Sequence, residues 1–81
     1  MNVRILLFAS LAERLGTQQL SIDLMPNATV GDAIEILTRQ YCELSEFRGK
    51  IATAVNCKYV HRSHSLGAGD ELALIPPVSG G

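Results

Sequence analysis

Gln18-Gln19-Leu20-Ser21-Ile22-Asp23-Leu24, then Met25-Pro26-Asn27-Ala28, then Thr29-Val30-Gly31-Asp32-Ala33-Ile34-Glu35-Ile36-Leu37-Thr38-Arg39-Gln40-Tyr41: within this one stretch the apolar repeat changes from that of a strand to that of a helix. Leu20, Ile22 and Leu24 alternate with polar Ser21 and Asp23, the pattern of a half-exposed strand in an antiparallel pair. Pro26 and Asn27 stop it. Thr29 then stands as an N-cap with Asp32 three residues on, and Val30, Ala33, Ile34, Leu37 and Tyr41 fall at i, i+3, i+4, i+7 and i+11. The stretch therefore predicts a strand, a tight turn and an amphipathic helix of about three to four turns.

Working outward, residues 2–8 are apolar and β-compatible, with Val3, Ile5 and Leu7 on one alternation, and read as a first strand. Ser10 and Glu13 have the spacing of a capping box, and Gly16 can end a short helix of about two turns in a left-handed conformation. Beyond the long helix, Ser45, Glu46, Arg48 and Gly49 read as a polar link. Ile51-Ala52-Thr53-Ala54-Val55 reads as a strand, and Asn56-Cys57-Lys58 as a turn into Tyr59 and Val60. Leu66 lies on the return path, Gly67-Ala68-Gly69-Asp70 is a turn cluster, and Glu71-Leu72-Ala73-Leu74-Ile75 is a last strand. Pro76-Pro77 halts any further ladder by removing two amide donors.

This order suits an α+β fold in which one mixed sheet carries the helix across a face. Sequence order alone leaves the strand pairing open. A β-grasp arrangement over residues 1–75 is the compact solution, because the helix between the second and third strands supplies the long crossover that parallel pairing of edge and centre strands needs. Residues 76–81 are then an extended tail.

Eighty-one residues make one domain, near the lower edge of what a single core holds together. At 47% hydrophobic and 19% charged residues the chain is too apolar to stay disordered. A net charge of -1 lacks the basic footprint of a nucleic-acid binder. Between Arg48 and His64, Arg48, Lys50, Lys58, Arg62 and two histidines occur without an acid. They read as a solvated hairpin face, with a docking patch for an acidic partner as the alternative. Cys42 and Cys57 form no C-x-x-C pair and read as reduced thiols of a cytoplasmic protein. Cys57, His61 and His64 do not match a familiar zinc spacing, so no metal is expected. Arg4 and the apolar run from Ile5 to Ala12 superficially resemble a signal peptide, but a first strand leading into a helix is the better reading. No apolar run approaches the roughly 20 residues that span a bilayer, so no membrane partner is expected.

Nothing among the side chains resembles an active site: there is no nucleophile with its base, no promising carboxylate pair and no glycine-rich phosphate loop. What calls for explanation is Pro76-Pro77-Val78-Ser79-Gly80-Gly81. Gly-Gly alone could be a frayed end. Joined without a spacer to a strand and two prolines, it reads instead as an arm. Glycines enter channels too narrow for other residues, prolines stiffen the root, and six extended residues reach about 20 Å. A terminal carboxylate at Gly81 is a poor electrophile until an external enzyme activates it, typically as an anhydride with a nucleotide phosphate. A sulfur donor would then yield a thiocarboxylate, and an amine an amide or isopeptide bond.

The segment from Gly69 to Gly81 resembles the C-terminal signature of the molybdopterin synthase small subunit, the MoaD family. Ile5-Leu6-Leu7-Phe8-Ala9 with Glu13 and Gly16 is similar to that family's opening, and Ala54-Val55-Asn56 with Val60 to its central hairpin. The resemblance implies a ubiquitin-like β-grasp fold and a sulfur carrier that is not catalytic alone. It implies that an adenylating enzyme of the ubiquitin-activating type uses ATP to form an acyl-adenylate at Gly81, which a persulfide donor converts to 1-thioglycine. No cofactor would be resident. The tail would enter the large synthase subunit, in a heterotetramer, and pass sulfur to a cyclic pyranopterin phosphate. On the same resemblance Gly80 is the permissive neighbour, Pro76, Pro77, Val78 and Ser79 line the tail's path, and Phe8 and Leu74 are candidates for a docking face or, alternatively, core. The alternatives kept open are the thiamin-thiazole sulfur carrier, which generally lacks the Pro-Pro pair, a ubiquitin-like protein modifier, and an interaction module with an inert tail.

Overall fold

The structure, a computed structural model, describes residues 1–47 and 49–76. The chain runs β1 (Asn2–Leu7), α1 (Ala9–Leu15), β2 (Gln19–Asp23), α2 (Val30–Gln40), a 3₁₀ helix (Cys42–Phe47), β3 (Ala52–Val55), β4 (Lys58–Tyr59) and β5 (Glu71–Ile75). The five strands form one sheet in the order β2-β1-β5-β3-β4.

β1 and β5, the first and last strands in the chain, pair in parallel, and the β1–β2, β3–β4 and β3–β5 pairs are antiparallel. The expectation that a parallel pair joins an edge strand to a centre strand is thus corrected. Both parallel strands lie inside the sheet, and the edges are β2 and β4. The connection through α1 returns β2 antiparallel beside β1, and the two-residue turn at Asn56-Cys57 returns β4 beside β3, so the long crossover is left to join the two halves, with β5 inserted between them.

The strand alternation puts Val3, Ile5, Leu7, Ile22, Val55, Leu72 and Leu74 on one face, all buried. They form one core with Val30, Ala33, Ile34 and Leu37 of α2 and Leu11 of α1. At about 1.5–3 kcal/mol for each fully buried large aliphatic side chain, this cluster is the main stabilising term of the domain. Thr53 is a buried polar residue on that face, and its hydroxyl donates to the Val60 carbonyl at 2.8 Å, so its burial leaves no orphaned group.

The start of α2 is as expected. Thr29 Oγ1 accepts the Asp32 amide proton at 3.2 Å, and Asp32 Oδ2 accepts that of Thr29 at 2.9 Å. The box proposed for Ser10 and Glu13 does not form. Phe8 is the N-cap of α1, with no side-chain cap, because the helix begins at Ala9 and Ser10 is already its second residue. Gly16 ends α1 at φ 71, as its position suggested.

Of the polar link after α2, Ser45 and Glu46 fall in the 3₁₀ helix, Gly49 is in a turn and Arg48 lies outside the described residues; Leu44 of the same helix is fully enclosed in the core. Two side-chain caps hold the hairpin and edge regions. The Asn56 amide group donates to Asp70 Oδ1 at 3.2 Å while its oxygen accepts the Glu71 N–H. On the edge strand β2, Thr17 Oγ1 donates to the Gln19 carbonyl at 2.9 Å and accepts the Gln19 N–H at 3.4 Å.

Candidate functional site

The candidate site is the end of the sheet from which the tail departs. β5 is flanked on both sides, by β1 and by β3, so its final residues are held by two ladders: Leu74 is paired with Leu7 and Ile75 with Ala52. The Phe8 N–H donates to the Leu74 carbonyl at 3.3 Å and prolongs the parallel pairing beyond Leu7. Pro76 follows at once and is buried. The root of the tail is therefore anchored by the most interior strand of the domain. Pro77, Val78, Ser79, Gly80 and Gly81, which carry most of the expected site, lie outside the described residues.

Phe8 and Leu74 separate cleanly. Leu74 is 1% exposed and belongs to the core, which corrects its candidacy for a docking face. Alternation decides this, because Leu74 shares the face of Leu72 and Leu7. Phe8 lies on the opposite face and is 46% exposed. Leu6, Ala73 and Ile75, on that open face, are partly buried, whereas Ala54 is buried there and Tyr59 is widely exposed. At the far end of the same face Arg4 pairs with Glu71 at 3.0 Å. The open face is thus polar at one end and apolar at the end where the tail begins.

Phe8 also borders a groove between α1 and the adjoining ends of β1 and β2, whose lining includes Leu6, Ala12, Glu13, Thr17 and Gln19. Ala9, next to Phe8, has φ 50, the left-handed region that a residue with a β-carbon rarely adopts, and this sharp bend swings the chain from the sheet into α1. The sequence carried a hint of the groove in Glu13, read there as half of a capping box.

The basic stretch has a structural duty. The carbonyls of Arg62 and His64 accept the Gly31 and Val30 N–H groups at 2.9 Å each, closing the first turn of α2. Lys50, Lys58, His61 and His64 are exposed. His61 Nδ1 lies 3.1 Å from Ser63 Oγ and accepts the Ser63 N–H at 3.2 Å. Among the described residues no group of three or more His, Cys, Asp or Glu side chains is arranged to hold a metal ion. Nor is any described helix long and apolar enough to cross a membrane.

The first and last strands side by side at the centre, antiparallel partners outside them and one long helix across a face define a ubiquitin-like β-grasp protein. The chain belongs to the ThiS family, which it matches over residues 5–81. It is 39% identical to small archaeal modifier protein 1 of Haloferax volcanii, over 93% of this chain and 95% of that one. The crystal structure of that protein superposes with a TM-score of 0.88, at 36% identity over 100% of both chains. The molybdopterin synthase sulfur carrier subunit of Arabidopsis thaliana is 32% identical, over 99% of this chain and 83% of that one. A complex of subunits 1 and 2 of the molybdopterin-converting factor from Helicobacter pylori contains a chain with a TM-score of 0.72 and 26% identity, over 100% of both.

Proposed function

We propose that this protein is the sulfur-carrier subunit of molybdopterin synthase and that its working group is the Gly81 carboxylate. The observation that supports it best is the position of β5, an interior strand laddered on both sides that leads without a spacer into Pro76. A rigid domain with a stiff-rooted arm presents one terminal group to other proteins, and likeness to sulfur carrier subunits over nearly the whole chain points to what that group holds. In this reading a ubiquitin-activating-type enzyme adenylates Gly81 with ATP, releasing pyrophosphate; the terminal sulfur of a persulfide donor displaces AMP to give an acyl disulfide, and a thiol reductant cleaves its S–S bond, leaving 1-thioglycine. Gly80 passes the narrow part of each partner's channel, and Pro76, Pro77, Val78 and Ser79 line the path. The large synthase subunit receives the tail in a heterotetramer, and the sulfur passes to the cyclic pyranopterin precursor. The setting is the cytoplasm, the protein holds no cofactor of its own, and a nucleotide is attached only in the adenylated intermediate.

A second reading has its own support in the 39% identity to a small archaeal modifier protein. There the same activated carboxyl would meet an amine. Intact mass after incubation with ATP, a sulfur source and cell extract separates the two. Exchange of one oxygen for sulfur at Gly81 is expected. Tail-linked adducts on other proteins, with no such exchange, would replace the first reading by the second.

A further inference from the structure

The lining of the groove beside Phe8 is divided between two chemistries: Leu6 and the half-exposed Phe8 are apolar, whereas Glu13, Thr17 and Gln19 are polar. Glu13 is exposed and has no ion-pair or hydrogen-bond partner among the described residues, and the groove's lining contains no cation. An apolar stem ending in a planar cation matches that division. An arginine side chain can lay its methylenes and guanidinium along an aromatic ring and pair its head with a carboxylate. Lysine meets the charge but not the planar stacking.

We infer that this groove is a docking site for an arginine side chain of the protein that receives the tail, held between the Phe8 ring and the Glu13 carboxylate. The placement favours that partner over an unrelated one. Phe8 is tied by its own N–H to the Leu74 carbonyl, two residues before Pro76, so any protein that takes in the tail from its root lies against this end of the sheet. The arginine would act as a fixed point that sets how far the tail reaches. The assignment of the partner as the large synthase subunit rests on the function proposed above; the character of the groove does not.

The test has two arms. In the first, amide resonances of the isotope-labelled full chain are followed during titration with acetyl-arginine amide and, separately, with the uncharged acetyl-citrulline amide. Arginine should shift Ala9, Ala12, Glu13 and Thr17 to Gln19, citrulline should not, and Glu13→Gln or Phe8→Leu should abolish the response. Shifts scattered over the surface, or equal for both compounds, would overturn the proposal. In the second arm the affinity for the purified large subunit is compared for wild type and Glu13→Gln. A loss of about tenfold, with weaker salt dependence, is expected. An unchanged affinity would overturn the assignment of this groove to that partner. Absence of wild-type binding together with a positive first arm would instead overturn the synthase reading and leave the arginine site standing.

Discussion

The Phe8 N–H and the Leu74 carbonyl meet at 3.3 Å, and this main-chain bond joins two residues whose side chains have opposite surroundings. Leu74 points into the core at 1% exposure, whereas Phe8 is 46% exposed on the other face. One hydrogen bond thus couples the interior of the domain to the surface at the tail's root.

Truncating these two side chains should therefore have unequal effects. Leu74→Ala should cost about 2 to 5 kcal/mol, because it removes methylenes from a packed site and leaves a cavity. Phe8→Ala should cost about 1 kcal/mol or less, since much of the ring is already in water. Urea denaturation monitored by circular dichroism measures both, and equal losses would show that Phe8 is part of the core.

The reciprocal bonds between Thr29 and Asp32 should be worth about 1 kcal/mol to the domain, as is usual for an N-cap. Thr29→Ala should lower the urea midpoint by that amount. The double variant with Asp32→Ala should lose less than the sum of the two single losses, because each single change already breaks part of the pair. Strictly additive losses would mean that the two bonds act separately.

The β3–β4 hairpin turns through Asn56 at φ 50 and Cys57 at φ 73. Two-residue hairpin loops with both central residues left-handed favour Asn followed by Gly. Cys57→Gly should accordingly stabilise the fold by about 1 kcal/mol, relieving the β-carbon of a conformation it resists. A rise in thermal midpoint is expected, and a fall would mean that the Cys57 side chain makes a stabilising contact.

At the tail, deleting Gly81, adding a residue after it or replacing Gly80 by leucine should abolish sulfur charging or transfer while leaving the melting temperature unchanged. The physical basis is reach and width: one residue shifts the reacting carbon by about 3.5 Å, and a branched side chain would meet the walls of the narrow channel proposed above for Gly80. Intact-mass charging assays paired with calorimetry test it, and full transfer by any of these variants would refute the proposed role of the terminus.

Much of this architecture was legible because alternation and helical period are properties of neighbouring residues. Leu20, Ile22 and Leu24 announce β2, and Thr29 to Leu37 announce α2, without knowledge of any distant contact. The 3₁₀ helix at Cys42–Phe47 was not legible, since Leu44 and Phe47 give it a single three-residue interval, too short to define a period. Ser10 and Glu13 misled for a related reason. Their spacing suits a capping box, but the sheet delivers the chain so directly into α1 that Phe8 takes the cap position. The sites divide in the same way. Tail residues can be read from their identity and order, whereas the groove joins Leu6, Glu13 and Gln19 across two connections and exists only once β1, α1 and β2 have come together.

The Thr17 hydroxyl, bonded to both backbone groups of Gln19, has a consequence for life in a crowded solution. β2 is an outer strand, and the backbone groups of Gln19 face away from β1, since the Leu7 N–H donates to the Gln18 carbonyl and, further along, the Leu24 N–H donates to the Met1 carbonyl. An unguarded row of such groups invites another molecule to add itself strand by strand, the route to aggregates. By occupying the first outward donor and acceptor of the row, a single hydroxyl leaves an incoming strand fewer groups to pair with at this margin of the domain.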